Sequence, residues 1–322
     1  MGEVGSFMPV LPLAHISWAL ADNADRPAVD DFFIAIFGAQ TAYEMVITPE
    51  TEAMGFDREE RLMMVGDTML IPIAPAGAGA AVDSPMGTML RRASGAGRWL
   101  GVSLRAADLA AADAWMQQRG FKLHYDPGME AHYFLIARWQ MMGMRVEIMT
   151  GELPNDPRLV AGWNARSWAD EHPLGIEGLQ AITLSCGDVT AARELFAARL
   201  EFPEIAARYL PEDDADCVAF DMGDVVIEAA VPRATKGDET SALAAHLRDV
   251  QGIYALTFKV KSAAAAAAYL RGKGLDLIGD VAGRFAIAPA QAHGRLIYFT
   301  ENDVAGYPPL GTKMTTPAVF AA

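Results

Sequence analysis

Four stretches of this chain repeat one another, and a chain that repeats a short unit is restricted to folds in which that unit can be copied and stacked. MVGDTMLIPIAP, around Gly66, and DMGDVVIEAAVP, around Gly223, both read Gly-Asp, an apolar run, then Pro at the same offset from the glycine. Each reads as a turn feeding a strand. Upstream of each lies a strand and then a helix: LAHISWAL with VDDFFIAIFGAQ, and LQAITLSC with DVTAARELFAARLEF. Asp188 and Thr190 are helix-start residues, because their side-chain oxygens can accept from free backbone N–H groups.

A second pair is equally parallel. RWLGVSLRA leads into ADLAAADAWMQQRGF and GIYALTFKV into KSAAAAAAYLRGKGL, and each helix stops at a glycine suited to a left-handed cap, Gly120 or Gly274. GMRVEIMT and GRLIYFTE follow as glycine-opened strands. The chain divides into units at about 10–80, 97–152, 175–233 and 250–303, each of strand, helix and about three strands. One matches three and two matches four, so the pair is duplicated. This predicts domains at 1–152 and 175–322 joined by a linker, 153–174, rich in Pro, Asn, Asp and Gly. The stretch AGAGAAVDSPMGTMLRRASGAGR reads as a plain connection between the first two units, or as a lid.

Composition excludes several classes. A net charge of −15 argues against a nucleic-acid partner, because phosphate neutralisation needs runs of Lys and Arg that this sequence does not display. Two cysteines, Cys186 and Cys217, give neither a disulfide framework nor a CxxC knuckle. No apolar run is long enough to span a membrane and the start carries no signal-peptide pattern, so a cytoplasmic protein with no membrane partner is expected. GxSxG, Walker-type and HExxH signatures are missing.

Four βαβββ units resemble the vicinal oxygen chelate superfamily, which includes glyoxalases, extradiol dioxygenases, methylmalonyl-CoA epimerases and bleomycin-resistance proteins. The resemblance implies an α+β protein: four βαβββ modules forming two glyoxalase-like domains with curved mixed sheets. It also implies that metal ligands lie on the first and last strands of the modules, facing a cup. Carried over position by position, module one offers His15 in LAHISW and Ile71, module two Gly101 and Glu147 in GMRVEIMT, module three Gln180 and Glu228, and module four Tyr254 and Tyr298. No module pairing supplies four ligands. Pairing one with two unites His15 with Glu147 and Gln180 with Glu228; crosswise pairing unites Glu147, Gln180 and Glu228.

A carboxylate at an inward strand position needs a partner, so Glu147 is either ion-paired or metal-bound. His15 and Glu147 supply two ligands for Fe, Mn, Zn or Ni, Gln180 and Glu228 form a second possible set, and His124 or His132 could add a third to the first. His15, Glu147 and Tyr133 are the expected catalytic residues, with Trp18, His132, Tyr254 and Tyr298 lining the substrate. Trp139, Phe258 and the methionines Met141, Met142, Met144 and Met149 are further lining candidates or ordinary core. The resemblance implies a divalent-metal enzyme acting on a small organic substrate by isomerase, lyase or dioxygenase chemistry. The alternative is a metal-free binding protein or cofactorless enzyme on the same cups. Open sheet edges make a homodimer one expectation.

Overall fold

The structure, a computed structural model, describes residues 12–77, 79–92, 98–233 and 241–310. In the first half, strands β1 (Leu13–Ala19), β2 (Gln40–Met45), β3 (Arg58–Val65), β4 (Thr68–Pro75), β5 (Arg98–Arg105), β6 (Leu123–His124), β7 (Tyr133–Ile136) and β8 (Arg145–Met149) form one sheet. Its order is β2-β3-β4-β1-β5-β8-β7-β6. Strands β9 (Ile176–Ser185), β10 (Glu204–Leu210), β11 (Ala215–Asp221), β12 (Val226–Pro232), β13 (Gly252–Val260), β14 (Leu277–Gly279), β15 (Phe285–Ile287) and β16 (Leu296–Thr300) form a second sheet in the corresponding order, β10-β11-β12-β9-β13-β16-β15-β14. In each sheet the first strands of two modules lie antiparallel at the centre, β1 on β5 and β9 on β13, and each runs parallel to the last strand of its own module. Module one therefore pairs with two and three with four; the crosswise arrangement does not occur.

Strand alternation assigns the faces. On β1, Ile16 and Trp18 join the core with the helices, while His15 and Ser17 face the other way. The helix Arg26–Phe37 begins with Pro27 in its first turn and ends at Gly38, whose φ of 63° suits a residue without Cβ. Its Phe33 and Phe37, one turn apart, are fully buried, and each contributes about 1.5–3 kcal/mol of burial. Phe37 also meets Phe258 and Phe299 of the second sheet at ring-centroid distances of 6.2 and 5.9 Å. The helix-bearing faces of both sheets thus share one core.

The repeated Gly-Asp turns join the halves. The Asp67 carboxylate accepts from the Leu179 N–H of β9 (3.0 Å), and the Asp224 carboxylate accepts from the Leu13 N–H of β1 (2.8 Å). The last hairpin turn within one module therefore caps the opening strand of the other half, and the exchange is reciprocal. Burial raises the pKa of both carboxyls, that of Asp224 to about 6.

Two segments differ from the sequence reading. Within the stretch read as a connection, Pro85–Arg92 is a helix whose Met86 and Leu90 pack on Ile71, Ile73 and Leu100, closing one end of the first cup. The helix Ala242–Asp249 with Leu243 does the same for the second cup. The linker is also structured. Asp156 is buried between Arg105 (3.3 Å) and Arg158 (2.8 Å), and Arg158 donates to the Ala14 carbonyl at 2.7 Å. Its turn-rich composition concealed charges that find buried partners. Among the described residues no helix is long and apolar enough to cross a membrane.

Candidate active site

On the face turned from the shared core, the first sheet lines a cavity of about 370 Å³. Register places the family positions. His15 lies opposite Ser103 on β5, and Ser103 opposite Glu147 on β8, so the three form one row across three strands. Neighbouring strands are about 4.8 Å apart, which puts the His15 and Glu147 backbones about 10 Å apart with side chains converging over Ser103. The Ser103 hydroxyl donates to Glu147 Oε1 at 2.9 Å. The pseudo-symmetric row is Ile71, Ser17, Gly101 and Arg145, and it has no imidazole or carboxylate.

His15 is 9% exposed, and its Nδ1 is buried with no hydrogen-bond partner. Burial lowers its pKa to about 4, although the Glu60 carboxylate works in the opposite direction, so the imidazole is neutral near pH 7. Burial raises the Glu147 pKa, which the Ser103 hydrogen bond and the Arg58 and Arg145 charges only partly offset. Arg58 donates to Glu60 at 2.9 Å, and both face this cavity from β3. Arg145 stands two residues before Glu147 on the same face of β8, and its guanidinium has no hydrogen bond or ion pair among the described residues. The rest of the wall is largely apolar, including Leu62, Ile71, Ile73, Leu100 and Met149.

The donor set does not suit a chelated metal. Among the described residues no three His, Cys, Asp or Glu side chains are grouped to hold an ion. Gly101 cannot be replaced by a ligand in this backbone, because a Cβ there would lie 2.1 Å from the Arg145 carbonyl oxygen.

Other expected residues take different places. His132 lines the cavity and is exposed. Tyr133 lines it too, but its hydroxyl is engaged at 2.7 Å by Asp126, and burial followed by that carboxylate raises its pKa. His124 is exposed and pairs with Asp126 at 3.1 Å; it is not part of the cavity wall. Trp18 is three residues from His15, an odd spacing, so alternation sends it to the opposite face, where it packs on Phe33 at 5.2 Å. Met141 and Met144 are core, Trp139 is exposed at the surface, and Met149 lines the cup.

The second cup, about 500 Å³, is charged. Glu228 is 1% exposed and accepts from Thr183 (2.8 Å), Arg284 (3.1 Å) and Arg208. Burial acts to raise its pKa, but Arg284 and Arg208 hold it below the ordinary value. Gln180 donates to the Asn302 carbonyl at 2.9 Å. The second possible metal set is therefore occupied by protein partners, and Glu228 is ion-paired. Tyr254 and Tyr298 both donate to Asp213, at 3.0 and 2.9 Å, and Asp213 also pairs with Arg284 at 3.0 Å. Both tyrosines are buried in the small cluster that fills one end of this cup, away from the cavity wall, because that carboxylate holds their hydroxyls.

Sequence reasoning missed Arg58, Glu60, Ser103 and Arg145 in the first cup and Arg208 and Arg284 in the second. Period-two spacing was the available signal: Arg58, Glu60 and Leu62 share one face of β3, as Arg145 and Glu147 share one of β8.

No protein-family model matches the chain, and comparison with curated proteins finds no match. Solved structures do match along nearly its whole length. A triple mutant of 4-hydroxymandelate synthase from Streptomyces coelicolor superposes with a TM-score of 0.62 at 15% identity, covering 95% of this chain and 96% of that one. The 2,3-dioxygenase LapB from Pseudomonas sp. KL28 gives 0.57 at 13% identity, covering 94% and 95%. With two eight-stranded sheets, each of two paired βαβββ modules, the chain shares the fold of these two proteins.

Proposed function

We propose that the N-terminal cup is the active site of an enzyme that binds a small organic acid with an apolar body and moves a proton on it without a metal. The observation that carries this is the row His15–Ser103–Glu147: a neutral, unpartnered imidazole and a carboxyl displaced toward its protonated form, facing one cavity. Arg145 supplies the anchor. Arg145 and Glu147 stand two residues, roughly 7 Å, apart on one face of β8, so a ligand carboxylate held at Arg145 directs the rest of a small molecule along the cavity toward Glu147 and His15.

In this reading His15 acts as general base and takes a proton from a carbon next to a carbonyl. The electron pair moves onto the carbonyl oxygen, and the Glu147 carboxyl, oriented by Ser103, donates a hydrogen bond or proton to it. Reversal returns the proton to carbon. Leu62, Ile71 and Leu100 hold the apolar body and exclude water. Isomerase-type chemistry is thereby favoured over dioxygenase chemistry.

The test is exchange of carbon-bound hydrogen for solvent deuterium across a panel of small aryl and alkyl keto and hydroxy acids, with chelator-treated protein. Exchange that survives chelator and is lost in both His15→Gln and Glu147→Gln is the expected result. Exchange or turnover seen only after adding Fe(II), Mn(II), Zn(II) or Ni(II) overturns it in favour of a metal enzyme on His15 and Glu147. Binding without exchange for every compound would make the cup a binding site alone.

A further inference from the structure

A second constellation lies where the two halves meet, outside both cups. Arg295, immediately before β16, is 5% exposed, and its Nε and Nη2 are buried with no hydrogen-bond partner. Its guanidinium sits over the Trp18 ring of the other half at 4.5 Å. Trp18 is the register partner of Trp99, next to Arg98 at the start of β5, and the Arg98 guanidinium likewise has no hydrogen bond or ion pair among the described residues. Arg138 approaches from the N-terminal half, donating to the Val250 and Gln251 carbonyls at 3.2 and 3.3 Å. His246, on the helix closing the second cup, meets Ser185 Oγ through Nδ1 at 2.9 Å.

The charges that act on Arg98, Arg138 and Arg295 are those of other arginines. Burial first, and then Arg98, push the Arg295 pKa well below its ordinary value; burial and the three arginines push His246 down to about 4. An unpaired buried guanidinium is costly, and an aromatic face offsets only part of that cost. An anion is the chemical group that would pair with such a guanidinium. Such a cluster of arginines stands out in a chain of net charge −15, whose overall field repels anions.

We propose that Arg295 and Arg98, flanked by Arg138 and His246, form an inter-domain site for a phosphate group. Two planar guanidinium forks match the oxygens of a dianionic phosphate, and a neutral imidazole can donate one more hydrogen bond. The group is either inorganic phosphate or the phosphate of an ester. The site does not depend on the chemistry assigned to the N-terminal cup.

The test is titration calorimetry and thermal unfolding of the full chain with inorganic phosphate and with phenyl phosphate, each against sodium chloride of equal ionic strength. About one equivalent should bind and raise Tm, with affinity falling at least about tenfold in both Arg295→Met and Arg98→Ala. Arg295→Met should also unfold no earlier than wild type when phosphate is absent, because an unpaired buried charge has been replaced by an apolar chain. Tighter binding of phenyl phosphate identifies an ester ligand, and tighter binding of phosphate a free ion. No response beyond that to chloride, a response retained in both variants, or an equal response to benzoate overturns the proposal.

Discussion

Replacing His15 by Gln should make the protein less sensitive to acid, and the size of the effect follows from the burial of the imidazole. In the fold its pKa is about 4, against 6.5 when free. At neutral pH the ring is uncharged in both states. As the pH falls below the free value the unfolded chain takes up a proton that the folded chain refuses, so stability declines down to the folded value, and below it the loss is complete. The full difference amounts to about 3 kcal/mol, of which about 2 kcal/mol falls between about pH 7 and about pH 4.5. His246 is depressed in the same way but is present in both proteins, so it cancels from the comparison. Urea unfolding followed by tryptophan fluorescence at the two pH values gives the double difference. Wild type should lose about 2 kcal/mol more than His15→Gln. A double difference below about 0.5 kcal/mol, or one of opposite sign, would mean that the folded ring accepts a proton readily, with Glu60 or water supporting it, and would refute the assignment of His15 as a neutral base.

Arg145→Leu should leave folding intact, because the guanidinium has no protein partner, while weakening a carboxylate ligand of the first cup by about ten- to a hundredfold, read by calorimetry. Arg284→Met strips Glu212, Asp213 and Glu228 of their shared cation and should cost about 3–5 kcal/mol in urea unfolding. Gly101→Ala should destabilise by about 2 kcal/mol or more, since the new Cβ would strike the Arg145 carbonyl; a smaller loss would show that β5 and β8 can separate there. Asp224→Asn keeps an acceptor for the Leu13 N–H. The native carboxyl has its pKa raised from 3.8 to about 6, so the stability it contributes is fully present below the unfolded value and lost as the pH rises through the folded one; the amide should therefore stabilise by about 3 kcal/mol near pH 8 and by little near pH 4.

The architecture was legible because its signal is redundant: each module writes strand, helix and hairpin separately, and four copies agree. The row containing His15 and Glu147 was legible for the same reason, since strand position fixes which face a side chain takes. What could not be read was who meets whom across strands. Glu228 looks like Glu147 in sequence, yet it is bound by Arg208 and Arg284, 20 and 56 residues away, through register that no local pattern encodes. Tyr254 and Tyr298 occupy family positions on the correct face, but Asp213, a loop residue between β10 and β11, holds both hydroxyls. The helix Pro85–Arg92 was hidden among glycines and alanines, and only its packing on Ile71 and Leu100 reveals it.

The reciprocal clasp of Asp67 on Leu179 and Asp224 on Leu13 gives each half the same role toward the other. It is the geometry of an isologous dimer whose two subunits have been written into one chain. A tether between such subunits raises their effective concentration to the millimolar range, so the contact surfaces need not be strong enough to find each other from solution. Once tied, the two copies are also released from being identical. One cup could keep an imidazole and a carboxyl facing open space, while the other closed its carboxylate under arginines, and the clasp between them would be unaffected by either change.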